Sequence, residues 1–269
     1  MPEIKSNGIT LAYNSYGEGE PVLLVAGTGQ AANTWDLFQV PALVAVGYRV
    51  VTFDNRGMPP SECPPEPYTV GEMAADAAGL IEALDLAPCR VVGLSLGAFI
   101  TQELALARPD LVRGAVMMGT IGRQGASGRA LTESWVEFDR SGIELPRAYD
   151  ALSQLSSLFS PYTLADEQFV KNYLDFALAG PAWGDPGRIG QHLADQAYDE
   201  RLEDLAGISV PTMVIVFELD ALTLAPLGRE VAAAIPGCRL VEIPRTGHAG
   251  PLESPEQVNN ALIEFFAGV

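Results

Sequence analysis

Short apolar runs alternate with longer segments of helical periodicity along most of this chain. Residues 22–26, 50–53, 90–93 and 114–118 are apolar and bounded by turn residues, and helical patterns at 34–46, 70–86 and 95–108 follow the first three. Such strand–helix alternation predicts a parallel sheet with helices on both faces. Further strands are predicted at 9–13, as an edge strand, and at 212–217 and 240–243, with helices near 227–235 and 255–267.

The rhythm changes between residues 122 and 205, where strand-like runs disappear and a helical, aromatic-rich pattern replaces them. We predict one α/β core domain, 1–121 and 206–269, interrupted by a helical insertion at 122–205. The aromatic residues of this insertion are Trp135, Phe138, Tyr149, Phe159, Tyr173, Phe176 and Trp183.

Composition narrows the classes of partner. The 269 residues are 48% hydrophobic, which suffices for a substantial core, and the formal net charge of −18 argues against nucleic acid or an anionic membrane as a partner. Three widely spaced cysteines form no disulfide framework. With no signal-like N-terminus and no apolar stretch of about 18 residues, a cytoplasmic protein is expected. The sequence leaves open whether the protein forms a homo-oligomer.

The stretch VLLVAGTGQAANTW, residues 22–35, contains the glycine pattern G-x-G-x-x-A at 27–32. In a dinucleotide-binding turn this pattern places the pyrophosphate at a helix N-terminus. Asp54 closes the next apolar run, where an acid would contact a ribose hydroxyl. A dinucleotide oxidoreductase is therefore one hypothesis, although it depends on these glycines and Asp54 alone.

A second glycine pattern indicates different chemistry. Gly93-Leu94-Ser95-Leu96-Gly97 is a G-x-S-x-G sequence between a predicted strand and a predicted helix. The two glycines permit a tight turn in which the serine hydroxyl is exposed, at a helix N-terminus that can stabilise an oxyanion. Ser95 is the candidate nucleophile.

A serine hydroxyl needs a general base, and only His192 and His248 are present. His248 follows the last predicted strand on a glycine-flanked loop and is the candidate base, whereas His192 lies in the insertion and is interpreted as a surface or packing residue. Asp220 follows the 212–217 strand and is the candidate acid, with Glu218 as its rival. The chain order Ser95, Asp220, His248 is the one found in enzymes whose nucleophilic serine lies on a sharp turn between a strand and a helix.

With these motifs the chain resembles the α/β-hydrolase fold superfamily over essentially its whole length, above all the capped serine esterases and cofactor-free haloperoxidase-like hydrolases. Residues 53–57, FDNRG, match the superfamily's D-x-R-G sequence. The resemblance implies a mostly parallel, eight-stranded sheet flanked by helices, and it makes 122–205 a cap over the active site. This sequence departs from the usual pattern at Ala26, where histidine is common, at Phe217, where glycine is common, and at Ala98.

The expected function is cleavage of a carboxylic ester, lactone or thioester of an apolar small molecule through Ser95, His248 and Asp220. The backbone N–H groups of Thr28 and Leu96 are expected to hold the oxyanion. Expected substrate contacts are Gly27, Gly29, Gln30, Trp135 and Phe217. No metal or cofactor is expected. Two alternatives stay open: the same triad could serve a lyase, cyclase, acyl-transfer or perhydrolysis reaction, or the chain could be a non-catalytic binding protein.

Overall fold

The computed structural model describes residues 1–179 and 187–269, and within these ranges one eight-stranded sheet forms the centre of the molecule. The strand order is β1-β2-β4-β3-β5-β6-β7-β8; the pairings β1–β2 and β2–β4 are antiparallel and all others are parallel. The strands are β1 (Glu3–Ser6), β2 (Ile9–Tyr16), β3 (Glu20–Val25), β4 (Tyr48–Phe53), β5 (Cys89–Leu94), β6 (Val112–Met118), β7 (Thr212–Phe217) and β8 (Arg239–Ile243).

Helices connect and cover these strands, and two short 3-10 turns occupy Ala32–Trp35 and Pro109–Leu111. The helices are α1 (Gln39–Ala45), α2 (Val70–Ala83), α3 (Leu96–Ala107), α4 (Ala126–Ser141), α5 (Arg147–Leu158), α6 (Pro161–Leu164), α7 (Glu167–Ala179), α8 (Gly187–Ala197), α9 (Leu202–Leu205), α10 (Ala225–Ala234), α11 (Gly250–Glu253) and α12 (Pro255–Phe266). None of those in the described ranges combines the length and apolar character that a membrane span requires.

The central strands consist mainly of apolar residues because both faces of the sheet are covered. Every residue of β5 and of β7 is buried. Side chains alternate between two cores: Leu23 packs with α2 and α3 on one face, whereas Val22 packs with α1 and α12 on the other. The expected mostly parallel eight-stranded sheet is confirmed.

One strand differs from the sequence-based expectation. Residues 9–13 were expected to form the edge, but β2 pairs with β1 on one side and with β4 on the other. The edge strand is β1, whose four residues include only one apolar side chain, Ile4. Such a short strand has no hydrophobic run that sequence inspection would detect, and it is held by backbone pairing to β2.

Between β6 and β7 the described residues form helices α4 to α9 without a strand. This agrees with the helical pattern expected for 122–205, while the domain boundary itself stays a prediction. The segment contacts the sheet domain closely: Gln191 Nε2 donates to Arg56 O over 2.8 Å, and the α carbon of Gly57 lies 2.7 Å from where a Cβ on Gly187 would be. Trp183 lies outside the described residues.

Candidate active site

Ser95 joins β5 to α3 in a turn that only a special backbone conformation permits. Its φ and ψ are 56° and −122°, in the left-handed half of conformational space where non-glycine residues are strained. A Cβ on Gly93 would lie 2.0 Å from the carbonyl oxygen of Gly97, and one on Gly97 would lie 2.1 Å from that of Val25. The two glycines of G-x-S-x-G therefore allow the strand–turn–helix passage that presents Ser95.

Ser95 is half-buried, and its hydroxyl makes no hydrogen bond to any residue in the described parts of the chain. The serine amide donates to Met118 O over 3.0 Å, which ties the turn to the neighbouring strand β6. Its carbonyl accepts from Ala98 N over 2.8 Å and from Phe99 N over 3.1 Å. The backbone of Ser95 is thus held on both sides while its hydroxyl is left available.

His248 and Asp220 form a buried, hydrogen-bonded pair. His248 Nδ1 lies 2.8 Å from Asp220 Oδ2, and the two residues are 3% and 4% exposed. Thr223 and Leu222 bind the carboxylate of Asp220. The Thr223 hydroxyl donates to Oδ2 over 2.7 Å, and the backbone amides of Thr223 and Leu222 each donate to Oδ1 over 2.8 Å. With Nδ1 committed to the carboxylate, Nε2 is the ring nitrogen left for proton transfer.

The charge on Asp220 is stabilised in this setting. Burial acts to raise the pKa of its carboxyl, but the charge of the His248 imidazolium and the hydrogen bonds from His248 and Thr223 outweigh it. The pKa of Asp220 therefore lies below its ordinary value. An ionised carboxylate at Nδ1 favours the tautomer with its proton on that nitrogen.

The rival residues lie in other environments. Glu218 accepts a hydrogen bond from Arg245 N over 2.7 Å and is exposed, so its carboxylate braces the loop before His248. His192 Nδ1 lies 2.6 Å from Asp139 Oδ2, and its ring stacks on Trp135 at a centroid distance of 5.1 Å. Neither residue takes part in the pair formed by His248.

The loop after β3 lies beside the Ser95 turn because Val25 and Gly93 are in register on neighbouring strands. Two amides of this loop are occupied by glutamine side chains: Gly27 N donates to Gln30 Oε1 over 3.1 Å, and Gly29 N donates to Gln191 Oε1 over 2.9 Å. The amide of Thr28 between them makes no hydrogen bond to the described residues. The α3 amide of Leu96 is likewise without a partner among them, as expected at a helix N-terminus.

Asn55 and Gln191 support this loop, in which Ala26 replaces the histidine common in the superfamily. Asn55 Nδ2 donates to Ala26 O over 2.9 Å, and Gln191 Nε2 donates to Arg56 O over 2.8 Å. Gln191 is 1% exposed and belongs to α8, so the helical segment contacts the loop directly. Sequence inspection had no signal for Gln191, because its partners are backbone atoms of distant loops.

The acid that suggested a nucleotide has a structural partner. Asp54 is 1% exposed, and its Oδ1 accepts a hydrogen bond from Ala32 N over 2.7 Å. Burial raises its pKa to about 6, although the bond from Ala32 opposes this shift. Asp54 therefore stabilises the start of a 3-10 turn within the protein.

Ser95 lines a cavity of about 40 Å³, and the helical segment supplies about half of the other lining residues. Trp135 lines it, and its contact with a substrate stays a prediction. Phe217 does not line it, and the expected substrate contact is not supported by its position: it is fully buried in the core and packs against Gly250. Gly27, Gly29 and Gln30 are also absent from the lining. The described lining residues are Ser95, Phe99, Ile121, Gln124, Gly128, Leu131, Thr132, Trp135, Asp195, Leu222 and Thr223.

Asp195, on α8, is a cavity residue that sequence inspection missed. It is 5% exposed, and its Oδ2 accepts a hydrogen bond from Thr28 Oγ1 over 2.6 Å. Burial raises the pKa of its carboxyl to about 7, against the opposing effects of the Thr28 bond and the His248 charge. One aspartate among the many acids of this chain has no sequence signature, since only the tertiary structure brings it to Ser95.

In the parts of the chain that the structure describes, no three histidine, cysteine or acidic side chains are grouped so that they could hold a metal ion.

Comparison with known proteins agrees with this architecture. The family model described as "Alpha/beta hydrolase family" matches residues 22–261. "Putative non-heme bromoperoxidase BpoC" of Mycobacterium tuberculosis is 45% identical over 262 residues, 97% of this chain and 99% of that protein. "Putative carbamate hydrolase RutD" of Azorhizobium caulinodans is 30% identical over 268 residues, 98% of each chain.

Solved structures show the same likeness. The crystal structure of BpoC from M. tuberculosis H37Rv superposes with a TM-score of 0.90 and covers 96% of both chains. The crystal structure of the enol-lactonase from Burkholderia xenovorans LB400 is 26% identical, with a TM-score of 0.87 over 99% of this chain and 100% of that one. The expectation of a hydrolase-family enzyme is confirmed at this level. This chain belongs to the alpha/beta hydrolase family of enzymes.

Proposed function

We propose that the chain is a serine hydrolase that cleaves a carboxylic ester, lactone or thioester of an apolar small molecule. The observation that carries the proposal is the buried 2.8 Å contact between His248 Nδ1 and Asp220 Oδ2, at the same edge of the sheet as the strained Ser95 turn. Acyl transfer requires a serine whose hydroxyl is not engaged in a hydrogen bond, a histidine with one nitrogen bonded to a carboxylate, and free backbone amides nearby.

In the first step Ser95 Oγ attacks the substrate carbonyl carbon while His248 Nε2 takes the hydroxyl proton. Asp220 stays ionised, holds the ring through Nδ1 and stabilises the imidazolium that forms. The depressed pKa of Asp220 supports this role, because the acid remains charged over the whole neutral range.

The developing oxyanion is held by the backbone N–H groups of Thr28 and Leu96, neither of which has a partner among the described residues. Collapse of the tetrahedral intermediate breaks the bond to the leaving group, which takes the proton from His248. Water then attacks the acyl-serine with His248 as its base, and Ser95 is regenerated.

We also propose that residues 122–205 act as the cap of a core formed by 1–121 and 206–269. Trp135 and Asp195 from this segment line the cavity of Ser95, and Gln191 binds the loop of Thr28. The three cysteines are free thiols. They suit a reducing compartment, and a cytoplasmic location is part of the proposal.

A fluorophosphonate probe followed by intact-mass measurement tests the nucleophile. One adduct is expected on the wild type and none on Ser95→Ala, while Ser156→Ala, an exposed serine of α5, keeps the adduct as a matched control. An unlabelled wild type, or labelling of Ser95→Ala, contradicts the proposal. Hydrolysis of p-nitrophenyl esters distinguishes an enzyme from a binding protein. The wild type is expected to hydrolyse them, and His248→Ala is expected to abolish this activity.

BpoC is named a putative non-heme bromoperoxidase. A peroxidase uses hydrogen peroxide, and this favours perhydrolysis as a second candidate function. Here hydrogen peroxide replaces water as the acceptor of the acyl-serine; its oxygen forms the new bond, Ser95 leaves with a proton from His248, and a peracid is released. Peracid formed from acetate and hydrogen peroxide by the wild type, and not by Ser95→Ala, is the result this candidate requires. Ester hydrolysis without any peracid removes it.

A further inference from the structure

Asp195 has no part in the mechanism above, although it lies in the cavity of the nucleophile. It comes from α8, is 5% exposed and lines the same cavity as Ser95. The bond from Thr28 Oγ1 to its Oδ2 places the carboxyl beside the loop whose amide is the proposed oxyanion donor.

The two carboxyl oxygens of Asp195 differ. Oδ2 accepts the 2.6 Å bond from Thr28, whereas Oδ1 is buried and has no hydrogen-bond partner among the described residues. A buried polar atom without a partner is unfavourable, and in a native protein it calls for a specific explanation. Oδ1 is therefore a buried hydrogen-bonding group without a partner, on a residue that lines the cavity of Ser95.

The surroundings of Asp195 favour its neutral form. Burial raises the pKa of the carboxyl to about 7, while the hydrogen bond from Thr28 and the charge of His248 act to lower it. His248 is the charged group that acts on it within the described chain; Gln124, Thr132 and Thr223 around the cavity are uncharged. Because Thr28 donates to Oδ2, the proton of the neutral acid belongs on Oδ1.

We propose that Asp195 is a specificity-determining residue that, as a carboxylic acid, donates a hydrogen bond from Oδ1 to an oxygen of the substrate's acyl group. The preferred substrates are then esters or lactones with an ether or carbonyl oxygen beside the reacting carbonyl. This inference rests on the proposed function, because it takes Ser95 as the point of attack.

We assign the hydrogen bond of Asp195 to the acyl group, and not to the leaving group, because of where the partners of Asp195 lie. His248 must face the leaving group to protonate it, whereas Asp195 is bonded to Thr28 on the oxyanion side of the reacting carbonyl. An ionised carboxylate there would repel the oxyanion, while a neutral acid does not. The neutral acid can thus bind an acyl oxygen without opposing the first step.

Two esters of equal size test the inference: p-nitrophenyl methoxyacetate carries an ether oxygen where p-nitrophenyl butyrate carries a methylene. The measured quantity is the ratio of kcat/KM for methoxyacetate to that for butyrate, followed from pH 5.5 to 8.5. Both esters use the same catalytic groups, so the pH dependence of those groups cancels in the ratio. The difference in intrinsic reactivity between the esters cancels when ratios are compared between variants.

The variants separate the possible roles of Asp195. Asp195→Ala removes the donor and is expected to lower the ratio about tenfold at pH 6, the effect of one neutral hydrogen bond. Asp195→Asn presents an N–H donor in place of the acid. At pH 6 its ratio is expected to stay within about threefold of the wild-type ratio, and it should not change with pH.

The wild type alone gives a further readout, which does not depend on whether Asp195→Ala folds: its ratio falls as pH rises through about 7. The inference is overturned if Asp195→Ala leaves the ratio unchanged or if the wild-type ratio does not depend on pH. It is also overturned if the ratio of Asp195→Asn falls to that of Asp195→Ala, because the ionised carboxylate would then be the group that matters. If Ser95→Ala turns over butyrate as well as the wild type does, the proposed function itself fails.

Discussion

Replacing Asp195 by asparagine should change how the stability of this protein depends on pH. The side chain is 5% exposed, and burial raises its pKa from 3.8 to about 7. Asparagine has nearly the same shape and can still accept the Thr28 hydroxyl through its amide oxygen, but it never ionises. The substitution therefore isolates the free energy of placing a negative charge in the cavity.

The sign follows from the number of protons bound. Between pH 3.8 and about 7 the folded protein holds a proton on Asp195 that the unfolded chain releases, so the free energy of unfolding falls as pH rises. The free energy of unfolding falls by about 1.4 kcal/mol for each pH unit in this window, and by about 3 kcal/mol from pH 5 to pH 7. Above the folded-state pKa the loss is complete. The raised pKa of Asp54 acts in the same direction up to about pH 6, but it is present in both proteins and cancels.

Urea unfolding at pH 5, 6, 7 and 8 measures this difference. The free energy of unfolding of Asp195→Asn minus that of the wild type should increase by about 3 kcal/mol from pH 5 to 8, a midpoint shift of about 1 M urea. Asp150→Asn, on an exposed face of α5, is the matched control and should give a difference that does not vary with pH. A constant difference for Asp195→Asn would refute the reasoning, because Asp195 would then be ionised in the folded protein throughout.

Three further substitutions, two of them paired with a control variant, probe the nucleophile's surroundings. Asp220→Asn should reduce kcat/KM for p-nitrophenyl esters by about 10⁴-fold, by favouring the wrong imidazole tautomer; Glu218→Gln should leave it near wild type. Gly97→Ala places a Cβ 2.1 Å from a backbone oxygen and should lower the melting temperature sharply, whereas Gly71→Ala, with open space around it, should not. Thr28→Pro removes the proposed oxyanion donor and should lower kcat by about 10²- to 10³-fold with little change in KM. Activity retained in Asp220→Asn or Thr28→Pro would contradict the assigned roles.

The periodicity of the chain predicted the central sheet because buried parallel strands are continuous apolar runs. β5 and β7, for example, contain no exposed residue, and turn residues bound them on both sides. The edge was misassigned for the same reason. β1 is short and partly exposed, and backbone pairing with β2 holds it without an apolar run of its own.

The candidate residues Ser95, Asp220 and His248 could be named from the sequence because each has a local signature or few competitors. Ser95 lies in G-x-S-x-G, and only one other histidine competes with His248. Asp220 and Glu218 both follow the same strand, and their distinct partners appear only in the structure: Asp220 bonds to the imidazole, and Glu218 bonds to the backbone of Arg245. Their catalytic roles stay predictions until the substitutions above are made.

Sequence alone determined the layout of this protein: which runs are strands, where the chain turns sharply, and which serine is presented by two glycines. These properties depend on neighbours along the chain. The tertiary structure decided the surroundings of that serine. It buried Phe217 in the core and brought Asp195 and Gln191 from a distant helix onto the loop of Thr28. The raised pKa of Asp195 likewise exists only after folding, because it arises from removing water around a carboxyl that the sequence leaves unmarked.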